Sequence, residues 1–474
     1  MRRLPLAFAL AAALSPFGAA HAEDLLQTYQ RARQSDPQYA AAESGRLVTR
    51  EGAVQARAAL LPQVNGTATL TRTFPQGTTQ SVLLDANGNP VLDANGDPVL
   101  VDTQLDGSTS RTFRVGADQV VFDLGRFSSV RSQNALAKAS DFQLESAGDT
   151  LVTRTSAAYF NVLVALETLS AAEASEAALK KQFDLASKRL EVGLAPITDV
   201  HEARAQYDSA RANTILTRNA LQDAYQALVE ITAAPVADLK ALPKDFQPQL
   251  PAEKDAEAWV GTALETNPAL KAQEYQLRSA EADVSTARAG HLPTLYLGAD
   301  YSDSKTISGG STLNSNGFSS DGSRGSSVGL TLSVPIFAGG ATQSRVRQAL
   351  AQRDVTQDQY EQQKRALERN TRNAYQTLVA GVSEVEARRL AVVSAQSAYD
   401  ASQVGLEVGT RTVVDVLINQ QNLFNAQREY ALAKYNFLQN RLLLEQAAGT
   451  LDVDDVQDVN RLLTVDTPLA EARP

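Results

Sequence analysis

The sequence predicts an α+β membrane protein built from two internal repeats, each with two β-strands of the outer-membrane barrel type and a long helical hairpin. Short segments alternate apolar residues with Thr, Gly, Ser and Asn. Helical patterns such as that from about residue 126 to 192 contain no proline. Similar stretches recur along the chain at constant spacing, which indicates duplication. Together these features favour elongated helices attached to a barrel sheet over globular domains.

Composition and charge exclude several classes of function. The formal net charge of −10 argues against a nucleic-acid partner. The chain has no cysteine, so it has neither disulfides nor a thiolate metal site. Of the three histidines, His21 lies in the signal peptide predicted below, and the remaining His201 and His291 are too few for a histidine metal cluster and give little support for a Ser-His-Asp site. We therefore expect no enzyme activity and no cofactor.

The N-terminus has the pattern of a secretory signal peptide, which we assign to residues 1–22. Arg2 and Arg3 precede an apolar run, and Ala20 and Ala22 supply the small residues of a cleavage site. No later stretch has 18 consecutive apolar residues. The sequence therefore predicts an exported chain without a transmembrane helix.

The first repeat is predicted over residues 23–232. It begins with a helix broken at Asp36-Pro37, followed by an alternating strand from Val64. Residues 75–111 are predicted as a loop, and a second strand contains Phe113 and Val115 on its apolar face. A long helix then runs to about 192, and a turn at 193–198 leads to a returning helix.

Two tandem octads occupy the loop, at 84–91 and 92–99. Each contains Asn-Gly, which favours a tight turn. The run Asp93-Ala-Asn-Gly-Asp97 of the second octad also suggests calcium, but its glycine falls at the fourth rather than the sixth position of the motif and Gln104 replaces the closing Glu. We favour hairpin loops.

A proline-rich linker at 233–257 separates this repeat from a second one at 258–449. The second repeat has a loop at 303–325 and a helical turn at 409–414, and a tail follows at 450–474. Ala158-Tyr159 recurs as Ala374-Tyr375, a shift of 216 positions that also relates the two turns. The two repeats therefore share one order of elements.

The strands have one apolar and one polar face, as expected when one side contacts lipid and the other a lumen. A soluble antiparallel sheet with one wet face is the alternative. Four strands cannot close into a barrel, and an open sheet edge cannot stand in lipid. If these strands span a membrane, several chains must share one barrel.

The two helical turns have related sequences, Val192–Val200 and Val408–Val416. Thr412 and Asp415 fit a capping box, in which the acid favours the start of a helix. Asp199 has a similar place three residues after Pro196. A purely structural role for both acids is therefore an alternative to a functional one.

These two turns, together with His291–Thr294 and Ala448–Leu451, resemble the TolC family of outer-membrane efflux channels from about residue 23 to 451. The resemblance implies a homotrimer with a 12-stranded barrel, four strands per chain, in the outer membrane of a Gram-negative bacterium. A helical tunnel would extend from the barrel through the periplasm. The implied partners are outer-membrane lipid, a periplasmic adaptor (membrane-fusion) protein and an inner-membrane pump of the RND, ABC or MFS class. Drug efflux and type I secretion are both implied functions.

The resemblance also implies a gate at the turn end. Arg411 matches an arginine that links neighbouring helices through partners at Thr198 and Asp199, and Asp415 matches the first of two aspartates at the narrowest point. The gate or constriction positions are Asp415, Arg411, Thr198, Asp199 and Ile418, with Glu202 and Leu406 as a secondary set. The adaptor-docking positions are Val192, Gly193, Leu194, Val408, Gly409 and Thr410.

The sequence departs from the family at two gate positions. Ile418 stands where the second aspartate is expected, and Leu406 replaces a tyrosine of the link. Glu202 occupies the position of the first repeat equivalent to Ile418, so the second acid could have moved between repeats. We therefore expect a ring of three carboxylates and greater reliance on Arg411.

Two other classes of protein remain as alternatives. A trimeric coiled-coil adhesin or structural envelope protein would explain the helices but not the alternating strands. A secreted hydrolase would need a nucleophile and base, for which no motif is visible.

Overall fold

A computed structural model describes residues 23–467 apart from 75, 105–106, 237, 244, 251–254 and 309–321. The predicted signal peptide at 1–22 lies outside the described residues. The chain divides into two compact units. Unit 1 comprises Met1–Thr49, Ala137–Leu277 and Thr356–Pro474, and unit 2 comprises Arg50–Leu136 and Arg278–Val355.

Helices make up most of the described residues. The helices are α1 (Leu25–Ser35), α2 (Pro37–Ala58), α3 (Leu124–Glu191), α4 (Ile197–Thr232), α5 (Ala256–Thr266), α6 (Pro268–Ala289), α7 (Ala341–Glu407), α8 (Val413–Ala448) and α9 (Val453–Leu462). The strands are β1 (Gln63–Thr73), β2 (Thr78–Val82), β3 (Leu100–Gln104), β4 (Ser108–Phe122), β5 (Leu239–Ala241), β6 (Thr294–Ser308), β7 (Gly322–Ser333) and β8 (Val465–Thr467).

The predicted long helices are confirmed. Helix α3 has 68 residues and α7 has 67, so each is about 100 Å long at a rise of ~1.5 Å per residue. None of the helices in the described ranges combines the length and apolar character needed to cross a membrane. The predicted break at Asp36-Pro37 is also present, and a corresponding break occurs in the second repeat at Asn267-Pro268. Asp36 accepts the Tyr39 amide at 2.8 Å, and Asn267 accepts the Leu270 amide at 3.0 Å, which starts a new helix after each break.

Unit 2 contains a four-stranded antiparallel sheet in the order β1-β4-β6-β7. Residues directly opposite in the register project to the same face. Val115 lies opposite Gly66 and Tyr301, and Tyr301 lies opposite Ser326. The predicted apolar residues of the four strands therefore share one face, which also carries a few small or polar residues such as Gly66 and Ser326, and the other face is predominantly polar.

The loop predicted at 75–111 contains more structure than expected. Strands β2 and β3 form a hairpin within it, and β4 already begins at Ser108. Gly88 and Gly96 have φ of 84° and 91°, which confirms tight turns in both octads. Similarly, β6 extends to Ser308 and β7 begins at Gly322, inside the loop predicted at 303–325. Apart from Ile307, these extensions are polar on both faces, so the alternation that identifies a half-buried strand is missing.

The proline-rich linker and the tail pair with each other in unit 1. Strand β5, which lies inside the predicted linker, is antiparallel to β8 in the predicted tail. Leu239 of β5 is fully buried in the core of unit 1. Strands of three residues are too short to show periodicity, which is why the sequence pattern did not reveal them.

A close contact joins the end of α8 to the start of α6 in unit 1. Gly449 ends α8 with φ of 70°, a left-handed conformation that favours glycine. A Cβ at this position would lie 2.4 Å from the Asn267 Cα. The Thr266 hydroxyl donates to the Ala448 carbonyl at 2.6 Å, and the Asn267 side-chain amide donates to the Ala447 carbonyl at 3.1 Å. Residues 266–267 therefore satisfy carbonyls that α8 leaves free at its end.

Candidate functional site

The turn between α7 and α8 is fixed by backbone and side-chain hydrogen bonds. Gly409 ends α7 with φ of 80°. Thr412 caps α8: its hydroxyl accepts the Asp415 amide at 3.2 Å, and the Asp415 carboxylate accepts the Thr412 amide at 2.9 Å. The capping box expected from the sequence is therefore present. Asp415 has a structural role whether or not it also faces a channel.

The same hydrogen bonds keep Asp415 ionised. The pKa of Asp415 is lowered chiefly because the Thr412 amide and hydroxyl donate to the carboxylate, and Arg411 adds a smaller attraction. The Thr412 hydroxyl lies 2.8 Å from the carboxylate oxygen. Because the pKa is below its ordinary value, the side chain carries its negative charge at neutral pH and under mildly acidic conditions.

The turn between α3 and α4 has a related backbone but a weaker cap. Gly193 has φ of 75°, and the Leu194 amide donates to the Arg189 carbonyl at 2.7 Å. Pro196 is the N-cap of α4 and forms no side-chain cap bond. Asp199 lies in the first turn of α4, where its charge favours the helix dipole. The Thr198 hydroxyl approaches it at 3.5 Å, which is long for a hydrogen bond of this type.

Gly405 makes room for Arg411. The Gly405 carbonyl accepts the Thr410 amide at 2.8 Å and the Arg411 amide at 3.1 Å. A Cβ on Gly405 would lie 2.6 Å from the Arg411 Cγ and 3.1 Å from its Cβ. Because these atoms are near the backbone, the arginine could not avoid a larger side chain by moving its tip alone. The absence of a side chain at residue 405 thus leaves the space in which the first side-chain atoms of Arg411 lie.

The first repeat has the opposite arrangement of large and small residues. At the shift of 216 positions, Gly405 corresponds to Arg189 and Arg411 corresponds to Ala195. Each turn therefore pairs one arginine with one small residue, in exchanged order. The sequence analysis missed Gly405 and Arg189, although alignment of the two repeats would have revealed the exchange.

Both turns border one cavity in unit 1, of about 200 Å³. It is lined by Gln182, Leu185, Ala186, Arg189, Leu194, Ala195, Asp199, Leu406, Arg411, Thr412, Val413 and Val414. The structure thus brings together two predicted gate residues, Arg411 and Asp199. Among the described residues of this chain, however, no acidic group lies within ion-pair distance of Arg411.

The other predicted residues differ in exposure. Ile418 is 55% exposed, and Glu202 is exposed as well. Leu406 is only 8% exposed and packs with Tyr399, Val416 and Leu423 between α7 and α8. Within a single chain Leu406 is therefore a packing residue, and its role as a secondary gate stays a prediction.

The predicted docking positions are exposed in the single chain. Leu194 is 77% exposed, although apolar side chains of this size are usually buried. The remaining docking positions are exposed too: Val192, Gly193, Val408, Gly409 and Thr410.

We expect Gly405→Ala to displace Arg411 without weakening the helix. Alanine is favoured over glycine within a helix by about 1 kcal/mol, so the substitution should not destabilise α7 itself. Its methyl group would nevertheless collide with the Arg411 side chain. Since the family resemblance implies that Arg411 links neighbouring helices at the gate, the expected result is a higher single-channel conductance in planar bilayers.

The matched control for that substitution is Gly45→Ala in α2, where a Cβ would meet nothing within 4 Å. It should leave the conductance unchanged. Equal conductance in Gly405→Ala and the parent protein would contradict the positioning role of Gly405.

Comparison with known proteins assigns this architecture to a family. The model of the outer membrane efflux protein family matches residues 28–234 and 259–450, one segment for each repeat. The chain belongs to the outer membrane efflux protein family. The predicted duplication is confirmed by these two segments, and the family's channels are not enzymes.

Relatives of this chain match it over most of their own length. The chain is 34% identical to the outer membrane protein TolC of Escherichia coli strain K12, covering 97% of this chain and 89% of that protein. It is 29% identical to the alkaline protease secretion protein AprF of Pseudomonas aeruginosa, covering 92% and 87%. The crystal structure of the Campylobacter jejuni CmeC outer membrane channel superimposes with a TM-score of 0.71 at 17% identity, covering 94% of this chain and 90% of that chain.

These likenesses confirm the predicted fold: long helices and a four-stranded sheet in each chain, built from two repeats. The protein is thus an outer-membrane efflux or secretion channel of the TolC family, and its helical part is periplasmic.

Proposed function

We propose that three copies of this chain form a passive exit channel for a tripartite efflux pump or a type I secretion system, closed at its periplasmic end. Links between chains hold the gate shut, and the Asp415 side chains narrow it. The periplasmic adaptor opens it by replacing those links. Opening of the gate is then a population shift from one arrangement of the helical hairpins to another.

The sheet supports the assembly of several chains. Among the described strands, β1 and β7 each pair on one side only. Unpaired edges are not tolerated in lipid, so each edge needs a partner strand. Pairing of β7 with β1 of the next chain is antiparallel like the rest of the sheet, and three chains of four strands give the 12 strands implied by the resemblance.

The surroundings of Arg411 are the main observation that supports the proposed gate. Gly405 fixes the start of its side chain, the residue is exposed, and no acid of its own chain lies within ion-pair distance among the described residues. A positioned guanidinium without a partner in its own chain suits a carboxylate on a neighbour. Asp199, which is also without an ion pair in the described chain, is the proposed acceptor, with Thr198 beside it.

The exposed apolar side chains at the turns support adaptor docking. Leu194 and Val408 lie at two helical turns of unit 1, and apolar residues that protrude from polar turns are typical of protein-binding positions. We assign this surface to the periplasmic adaptor. The pump behind it belongs to the RND, ABC or MFS class.

We expect Asp415→Asn to weaken block of the channel by trivalent cations added on the periplasmic side. Asparagine keeps the size of the side chain but removes three charges from the trimer, and with them most of the attraction for the blocker. Block is measured as the loss of current in planar bilayers at low salt. Glu202→Gln is the matched variant for Glu202, the acid that stands at the first-repeat position equivalent to Ile418. Undiminished block in Asp415→Asn would place the acidic ring elsewhere.

Gene deletion tests the physiological role. Loss of the chain should sensitise cells to toxic compounds, reduce the secreted proteins, or both, and the pattern decides between efflux and secretion. The relative AprF is named for alkaline protease secretion, which makes secretion a concrete second candidate. Normal drug tolerance together with an unchanged secretome would contradict the proposed function.

A further inference from the structure

Each strand of the sheet in unit 2 carries one basic residue on the apolar face, near its loop end. The register aligns Arg111 of β4 with Leu70 and with Lys305 of β6. Arg324 of β7 lies opposite Asp303 of β6. Asp303 is two residues closer to the helical end of β6 than Lys305. Arg72 of β1 lies two residues beyond Leu70, so it projects to the same face. These four residues, Arg72, Arg111, Lys305 and Arg324, are called the cationic row.

The cationic row lies at the outer boundary of the membrane. The strands join helices at Gln63, Phe122, Thr294 and Ser333, and the helical part of the family is periplasmic. The opposite strand ends therefore face the outer leaflet. Below the row, the apolar face of β4 runs from Phe113 to Val121, about 27 Å along the strand at ~3.4 Å per residue. At the tilt of ~35–45° that is usual for strands of membrane barrels, this length spans about 20 Å across the bilayer, close to the height of their apolar band, with the charges at its upper edge.

Two members of the row rest on aromatic rings. The Arg72 guanidinium lies 5.0 Å from the centre of the Phe74 ring, and the Arg111 guanidinium lies 4.9 Å from that of Phe113. Phe74 is 72% exposed, so its ring covers no part of the protein core. Aromatic residues are enriched at membrane boundaries, and cation–π contact holds each arginine there.

The charges of the row are largely uncompensated. Arg324 forms an ion pair with Asp303 at 3.3 Å. In the part of the chain that the structure describes, no acidic group lies within 4 Å of Arg72, Arg111 or Lys305. All four side chains are exposed. Cations on a lipid-facing surface are unfavourable unless they meet an anion or water at the interface.

We propose that the cationic row binds the phosphate groups of lipid head groups in the outer leaflet. Guanidinium groups match phosphate oxygens with paired hydrogen bonds, and the ammonium of Lys305 adds a point charge. The apolar face below the row accommodates the acyl chains of the same lipid. This inference depends on the outer-membrane location but not on the gate at the helical turns.

The test measures lipid retention by native mass spectrometry. The intact protein is placed in phosphatidylcholine nanodiscs that contain either lipid A with both phosphates or the same lipid A after their removal. The parent protein should retain the phosphorylated form preferentially. Combining Arg72→Gln, Arg111→Gln and Lys305→Gln should reduce that retention roughly tenfold or more, because each cation near a charged lipid surface contributes separately.

The matched control is Arg114→Gln. Arg114 lies on the same strand opposite Thr67 and Ser302, so it projects to the polar face. The Arg114→Gln variant should retain the phosphorylated lipid as well as the parent protein does. Loss of retention in Arg114→Gln equal to that of the triple variant would overturn the proposal.

Three further outcomes would also overturn it: equal retention of dephosphorylated lipid A, full retention by the triple variant, or displacement of the lipid by millimolar inorganic phosphate. Should the triple variant fail to assemble, Arg111→Gln alone must lose part of the retention and Arg111→Lys must keep most of it. Full retention in Arg111→Gln would then contradict the proposal.

Discussion

Replacing Arg411 with serine should raise the single-channel conductance of the purified protein several-fold in planar bilayers. The substitution removes the guanidinium that we assign to the link with Asp199 of the neighbouring chain. The capping box of Thr412 and Asp415 remains, so α8 should begin at the same residue. The channel would therefore lose a restraint without losing its fold.

Two variants test this explanation against a general loosening of the turns. Arg411→Lys keeps the charge but not the paired donors, so its conductance should fall between those of the parent protein and Arg411→Ser. Arg189→Ser removes the other arginine of the same cavity and should leave conductance close to that of the parent protein. An unchanged conductance in Arg411→Ser would show that Arg411 does not restrain the gate.

Replacing Gly449 with alanine should cause the largest loss of stability. Alanine in the left-handed conformation costs about 1 kcal/mol or more. In addition, its Cβ would lie 2.4 Å from the Asn267 Cα and 2.7 Å from the Asn267 nitrogen, both backbone atoms that cannot turn aside. We expect a total destabilisation of at least about 3 kcal/mol, which is at the upper end of the usual range for single substitutions. The measurement is the yield and heat resistance of the assembled protein on a gel.

The first repeat supplies the matched control for this substitution. Ala233 occupies the position equivalent to Gly449 and has φ of 54°, so a Cβ is tolerated there. Ala233→Gly should change stability little, and any change should be a gain from relief of the backbone conformation. Normal assembly of Gly449→Ala would show that α8 and α6 can separate without consequence.

Much of the fold could be predicted from the sequence because it depends on local patterns. The proline-free run before Gly193 indicated α3, and the alternation after Pro62 indicated β1. Strand β5 could not be found, since its pairing with β8 joins residues far apart in the sequence. The start of β4 was missed as well, because polar residues occupy both of its faces there.

The candidate site was predicted in part. The capping box was visible because Thr412 and Asp415 are three residues apart, a spacing fixed by helix geometry. The contact of Gly405 with Arg411 was not, because it depends on how the chain turns at Gly409. The links between chains involve surfaces that a single chain leaves exposed, so they follow from the family resemblance and not from residue patterns.

The number of chains in one channel tests the central claim most directly. The mature protein is extracted in detergent and its mass, corrected for bound detergent, is measured before and after heating. The account predicts three copies that separate into single chains on heating, because four strands per chain leave two sheet edges to be paired. A single chain that stays dissolved in water without detergent would contradict it.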